Sequence, residues 1–173
     1  MAERVAARRT AFLLTISDRG SVGARADTTG AALAARLTDL GFDVELAVVP
    51  DERSSIEPAL VAAAARHPLV VTTGGTGLTS RDVTPQATLA VVDYEVPGLA
   101  EAMRADGRAA TPMAILSRAV VGVRGRTLIV NVPGSPRGAL ESLAAIEPVL
   151  EHALETLGGP FEHAGWPGTG SEP

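Results

Sequence analysis

Apolar runs and apolar stripes alternate along the first half of the chain, and each predicts a different element. Residues 10–16 are almost continuously apolar, the pattern of a strand buried on both faces. A turn-rich loop is expected from Ser17 to about Asp27. From Thr28 or Thr29 onward, Leu33, Leu37 and Leu40 recur on one stripe, which predicts a helix stopped by Gly41. Residues 42–49 first alternate apolar and acidic positions and then turn apolar, as a second strand would. Ser54 and Glu57 have the spacing of a capping box, so a helix is predicted from there to about Arg66, with Ile56, Leu60, Ala63 and Ala64 facing the core. Residues 69–73 predict a third strand.

Beyond it the pattern shortens. Thr84 is placed to cap a helix whose first residue is Pro85 and which ends near Val92, and a second short helix is expected over residues 97–105. Two apolar runs, 113–116 and 127–132, predict a strand pair, with Gly122, Val123, Arg124 and Gly125 as the turn between them. Ser135 and Pro136 then read as the cap and first residue of a final helix reaching about Leu157, kinked or interrupted near Pro148. The predicted organisation is a loose arm over residues 1–9, one α/β domain over 10–158, and a disordered, turn-rich tail over 159–173.

Strands joined by single helices through short connections imply right-handed crossovers and a doubly wound, mainly parallel sheet with helices on both faces. If the strands are parallel, the segments after Ile16, Val49, Thr73 and Val132 lie on one side of the sheet. Those segments hold the residues with chemical potential. Thr73, Gly74, Gly75, Thr76 and Gly77 form a turn in which backbone N–H groups can surround an anion. Pro133, Gly134 and Ser135 make a second such turn. Asp51 and Asp82, with Asp18 as a third, each follow a strand or its turn, and Arg81 adjoins Asp82. A single aspartate of this kind is usually a turn residue or a cap. Several beside two phosphate cradles suit Mg²⁺, which takes few carboxylates and leaves its other positions to phosphate and water.

Composition narrows the choices. The chain has 173 residues, no cysteine and a net charge of −5. All of its basic residues are arginine, which removes a Walker-type lysine loop and any Schiff-base chemistry. The acidic balance argues against a nucleic-acid surface. Neither a signal peptide nor a membrane-length apolar run is apparent, so a cytoplasmic protein is expected. The glycine turn lacks the third glycine of a dinucleotide fingerprint, and there is no G-x-S-x-G elbow.

Several short segments taken together carry a family resemblance. They are Thr15-Ile16-Ser17-Asp18-Arg19, Val49-Pro50-Asp51-Glu52, the stretch 72–77, Arg81-Asp82-Val83-Thr84-Pro85, Glu95-Val96-Pro97-Gly98, Leu116-Ser117-Arg118 and Asn131-Val132-Pro133-Gly134-Ser135-Pro136. In this order they resemble the MogA/MoaB family of molybdenum-cofactor biosynthesis, the molybdopterin adenylyltransferases. The resemblance implies a molybdopterin-binding three-layer fold. It also implies adenylyl transfer from ATP to molybdopterin with Mg²⁺, a homotrimer, and a molybdate-inserting enzyme as a partner that takes the product. It places the family's two essential aspartates, also the expected Mg²⁺ ligands, at Asp51 and Asp82. Pterin and phosphate contacts fall at Ser117, Asn131, Pro133, Gly134 and Ser135, and the glycine loop at Gly74, Gly75, Thr76 and Gly77. A non-catalytic pterin-binding or scaffold protein on the same fold is the alternative.

Overall fold

The structure, a computed structural model, describes residues 9–24 and 26–159. The expected arm (apart from Arg9) and nearly all of the expected tail lie outside the described residues. The elements run β1 (Arg9–Ile16), α1 (Asp18–Ser21), α2 (Thr28–Asp39), β2 (Phe42–Val49), α3 (Arg53–Ala64), β3 (Leu69–Thr73) and α4 (Thr84–Val91). Then come β4 (Tyr94–Glu95), α5 (Pro97–Ala110), a 3₁₀ turn (Pro112–Leu116), β5 (Val121–Arg124), β6 (Thr127–Val132) and α6 (Pro136–Gly158). Arg9 is therefore the first residue of β1, paired with Phe42, rather than part of an arm.

One six-stranded sheet has the order β2-β1-β3-β6-β5-β4. β2, β1, β3 and β6 are mutually parallel, and β5 runs antiparallel to both β6 and β4. The α/β fold with a mainly parallel sheet is thus as expected. Successive β1 residues point to opposite faces: Ala11 and Leu13 join a core with α2, α5 and α6, whereas Phe12 and Leu14 join one with α3 and α4. A sheet covered on both faces explains why β1 and β3 read as unbroken apolar runs. Placing α2 and α3 on opposite faces is what right-handed crossovers require, because the chain steps from β1 to β2 and then back past β1 to β3. That reversal creates a switch point between the carboxyl ends of β1 and β3, where α/β sheets open a crevice.

Several local expectations give way to tertiary contacts. The run 113–116 is no strand: Thr111 accepts from the Met113 N–H and starts the 3₁₀ turn, leaving Met113 and Ile115 exposed. The antiparallel partner of β6 is β5, in which Val121 and Val123 are buried, Val123 where a turn was expected. Gly122 is small because a Cβ there would crowd Val92 and the Tyr94 carbonyl of the approaching β4; Gly125, at φ 58°, makes the turn. The loop after β1 contains the short α1, capped by Ser17. α3 begins at Arg53 with Glu52 at its cap position and no side-chain cap, so the Ser54–Glu57 box does not form; Glu57 pairs with Arg53 instead. α5 extends to Ala110, and α6 continues through Pro148 as one helix. Ser135 caps α6 as expected, accepting from the Gly138 N–H.

Candidate active site

The segments after β1, β2, β3 and β6 converge at the switch point, and their residues fix one another. Gly74 and Gly75 have φ of 99° and 63°, a region open to glycine at little cost. Space excludes a side chain there as well. A Cβ on Gly74 would collide with the Ile16 carbonyl oxygen, and one on Gly75 with Thr84 Oγ1. Thr84 does not cap α4; its hydroxyl donates to the Gly74 carbonyl at 2.8 Å and closes the turn, while Val83 holds the cap position. Thr73 Oγ1 donates to the Pro133 carbonyl at 2.7 Å, and Thr29 Oγ1 to the Gly134 carbonyl at 2.9 Å. The two turns are packed so closely that a Cβ on Gly134 would lie 3.3 Å from the Gly74 Cα.

The carboxylates flank this platform. A Cβ on Gly75 would stand 3.3 Å from Asp51 Oδ1, and one on Gly77 would stand 3.0 Å from Asp82 Oδ2. Asp18 and Asp51 bracket each other: the Asp18 N–H donates to Asp51 Oδ2 at 2.9 Å, and the Asp51 N–H to Asp18 Oδ1 at 3.0 Å. Arg81 forks onto both oxygens of Asp18, its Nη2 at 2.7 and 2.6 Å. Asp82 accepts from the Thr79 N–H at 2.8 Å and the Thr79 hydroxyl at 2.7 Å.

These surroundings drive the titrations apart. Arg81 and then the Asp51 N–H hold Asp18 below the usual carboxylate range. Burial lifts Asp51 above it, helped by the negative charges of Asp18 and Asp82 and only partly offset by the Asp18 N–H and Arg81. Burial also pushes Asp82 up, but the Thr79 hydroxyl, the Thr79 and Gly77 N–H groups and Arg118 outweigh it, so Asp82 ends below its ordinary value.

Two openings border the platform. A polar crevice of about 100 Å³ is lined by Ser17, Asp27, Thr28, Thr29, Gly74 and Gly134. A wider, mostly apolar cavity of about 480 Å³ lies between α5, the 3₁₀ turn and the start of α6, with Leu78, Met103, Met113, Thr76, Ser117 and Ser135 in its wall. Ser17, Asp18, Asp51, Thr73 to Gly77, Arg81, Asp82, Ser117 and Pro133 to Ser135 therefore gather around one platform. Asn131 is fully buried beneath it: its Nδ2 donates to Thr72 and Thr88 Oγ1, each at 2.9 Å, and its Oδ1 accepts from the Val120 N–H.

A family model described as a probable molybdopterin binding domain matches residues 12–152. The chain belongs to this family. The MogA/MoaB likeness read from the motifs holds in both sequence and structure. A molybdopterin adenylyltransferase of Escherichia coli K12 is 45% identical over 141 residues, covering 78% of this chain and 72% of that protein. One from Helicobacter pylori J99 is 38% identical over 156 residues, covering 86% and 88%. The crystal structure of the molybdopterin biosynthesis enzyme MoaB from Thermus thermophilus superposes with a TM-score of 0.82 at 51% identity, covering 89% of this chain and 99% of that one.

The family motifs include Thr84 and Arg118 without disclosing what they hold, and they leave out Thr79. Thr79 and Thr84, which hold Asp82 and Gly74, carry no signal beyond ordinary turn chemistry. Arg118 clamps the loop through partners 41 and 36 residues away, which no local pattern could disclose. The residues also fit a divalent cation. Among the described residues no three His, Cys, Asp or Glu side chains form a metal cluster by themselves. Two carboxylates at the edge of a glycine turn, one of them raised by burial, nevertheless suit an ion that takes few protein ligands.

Proposed function

We infer that this chain is a molybdopterin adenylyltransferase. An oxygen of the terminal phosphate of molybdopterin attacks the α-phosphorus of ATP, the bond to the β-phosphate bridging oxygen breaks, and pyrophosphate leaves. The observation that carries the reading is the placement of Asp51 and Asp82 on either side of one glycine platform, each close to a backbone position without a side chain. Phosphoryl chemistry of this kind needs positioning and charge neutralisation more than a strong base. The platform supplies a backbone that a phosphate can approach without meeting side chains, and Arg81 supplies a positive charge beside the aspartates.

The 480 Å³ cavity suits a fused heteroaromatic ring, with apolar walls for its faces and Ser117, Ser135 and Thr76 for its edges. The pterin enters there, so that its phosphate lies over Gly77 and the Ser135 cap of α6. ATP phosphates take the side bordered by Ser17, Asp18 and Asp51. Asn131 holds the floor of both turns through Thr72 and Thr88. Asp51 and Asp82 would hold Mg²⁺, which when bound neutralises charge on the ATP phosphates and on the leaving pyrophosphate. The same reading includes a cytoplasmic homotrimer whose product goes to a molybdate-inserting enzyme. Among the described residues, no helix is long and apolar enough to cross a membrane.

The test is to incubate the purified protein with ATP, Mg²⁺ and molybdopterin and to follow pyrophosphate and adenylylated pterin by mass spectrometry. Equimolar formation of both is expected. Pterin binding without pyrophosphate release would instead identify a scaffold protein.

A further inference from the structure

The glycine platform has a support that the motifs do not explain. Arg118 follows Ser117, on the strap between the 3₁₀ turn and β5. Its main-chain N–H donates to the Thr76 carbonyl at 3.0 Å. Its Nε donates to the Gly77 carbonyl at 2.7 Å, and its Nη2 donates to the Asp82 carbonyl. One residue thus binds three carbonyls, on both sides of the 77–82 loop. Within that loop, Thr79 holds the Asp82 carboxylate through its N–H and hydroxyl. The carboxylate is therefore fixed to the loop by Thr79, and the loop is fixed to the strap before β5 by Arg118. The planar fork of Arg118 fits two carbonyls in a way that an ammonium does not. Because Ser117 lines the wide cavity, the same strap also joins that cavity to the Asp82 loop.

We propose that Arg118 is a positioning residue for adenylyl transfer, holding Asp82 at the edge of the glycine platform by tying both ends of the 77–82 loop. This rests on the reading of Asp82 as a metal-binding carboxylate. Arg118 itself need touch neither substrate nor metal. Residues that orient a metal ligand from behind commonly change metal affinity or turnover by about 10–100-fold.

The experiment compares wild type, Arg118→Ala, Arg118→Lys and Leu143→Ala, the last a fully buried core variant on α6 that lowers stability. Mn²⁺ binding is measured by electron paramagnetic resonance in the presence of α,β-methylene-ATP, alongside kcat, KM for molybdopterin and thermal midpoint. Arg118→Ala is expected to weaken Mn²⁺ binding and lower kcat by about 10–100-fold, with KM for molybdopterin within about threefold. Arg118→Lys, which keeps the charge and stem if alanine does not fold, is expected to lose about tenfold in Mn²⁺ affinity. Leu143→Ala is expected to lower the thermal midpoint with Mn²⁺ affinity unchanged. Wild-type Mn²⁺ affinity in a folded Arg118 variant, an equal loss in Leu143→Ala, or no Mn²⁺ binding by wild type overturns the proposal. If wild type binds Mn²⁺ but makes no adenylylated product, the reaction assigned above fails; the Mn²⁺ comparison still decides the role of Arg118.

Discussion

Asp51 and Asp82 look alike in the chain, each an aspartate close to a strand end, yet their surroundings set them in opposite directions. Asp51 is raised by burial first and by the charges of Asp18 and Asp82 after that. A carboxyl whose folded pKa lies above its unfolded one contributes stability below the unfolded pKa and loses it as pH rises through the folded pKa. At neutral pH the charged Asp51 therefore costs the substrate-free fold stability. Asp51→Asn should accordingly abolish most adenylylation while keeping or raising the thermal midpoint at pH 7, with the gain vanishing below about pH 4. Thermal melts of both proteins across pH check this, and a lowered midpoint at pH 7 would contradict it. Asp82 and Asp18 behave in the reverse sense: both are lowered, so their contribution is present above the unfolded pKa and lost as pH falls through the folded one. Asp82→Asn should thus be less stable than wild type near neutrality, and should lower kcat by about 100-fold or more if it holds the metal. The motifs contain both aspartates without separating them: Asp51 is set by burial and by Asp18 from another loop, whereas Asp82 is held down mainly by Thr79 and Gly77 of its own loop.

At the scale of elements, the platform depends on two turns and the hydroxyls that pin them. Gly75→Ala would force a positive φ on a residue with a Cβ and push that Cβ into Thr84 Oγ1. The expected loss is about 2 kcal/mol or more, from the strained backbone and the displaced Thr84, measurable by urea denaturation. Asn131→Leu keeps the volume but leaves the Thr72 and Thr88 hydroxyls without their partner in a fully buried place. A loss of about 2–4 kcal/mol is expected, with reduced turnover because the floor of both turns shifts. Retention of wild-type stability would show that those hydroxyls find other partners. The helix stop at Gly41 and the Ser135–Pro136 start were legible, since capping is decided within one helical turn. The run 113–116 was not. An apolar stretch of that length suits a strand or a turn, and only the pairing of β5 with β6, which buries Val121 and leaves Met113 exposed, separates them. Thr84 and Ser54 mislead for a related reason: a hydroxyl at a cap position can be claimed by another contact or left unused.

Across the whole molecule, a sheet with separate cores on its two faces makes the platform rigid from both sides. Leu33 on α2 and Ile56 on α3 are fully buried on opposite faces. Alanine at either should destabilise by about 2–5 kcal/mol, and the two losses should nearly add because no contact joins the sites. A coupling above about 1 kcal/mol in the double-mutant cycle would mean that the sheet transmits strain between the cores. The proposed homotrimer predicts that sedimentation equilibrium returns three times the 17.7 kDa chain. Strand and helix periodicity, the turn glycines and the ordered motifs determined by themselves the class of fold, the four parallel strands and the family. Those features are set by side-chain alternation and by backbone conformations local to a few residues. Tertiary structure alone decided the antiparallel partner of β6, the inward use of the Asn131 amide, the upward titration of Asp51, and the hold of Arg118 on the glycine loop. Each of these depends on which distant groups reach the same place once the sheet has closed around its two cores.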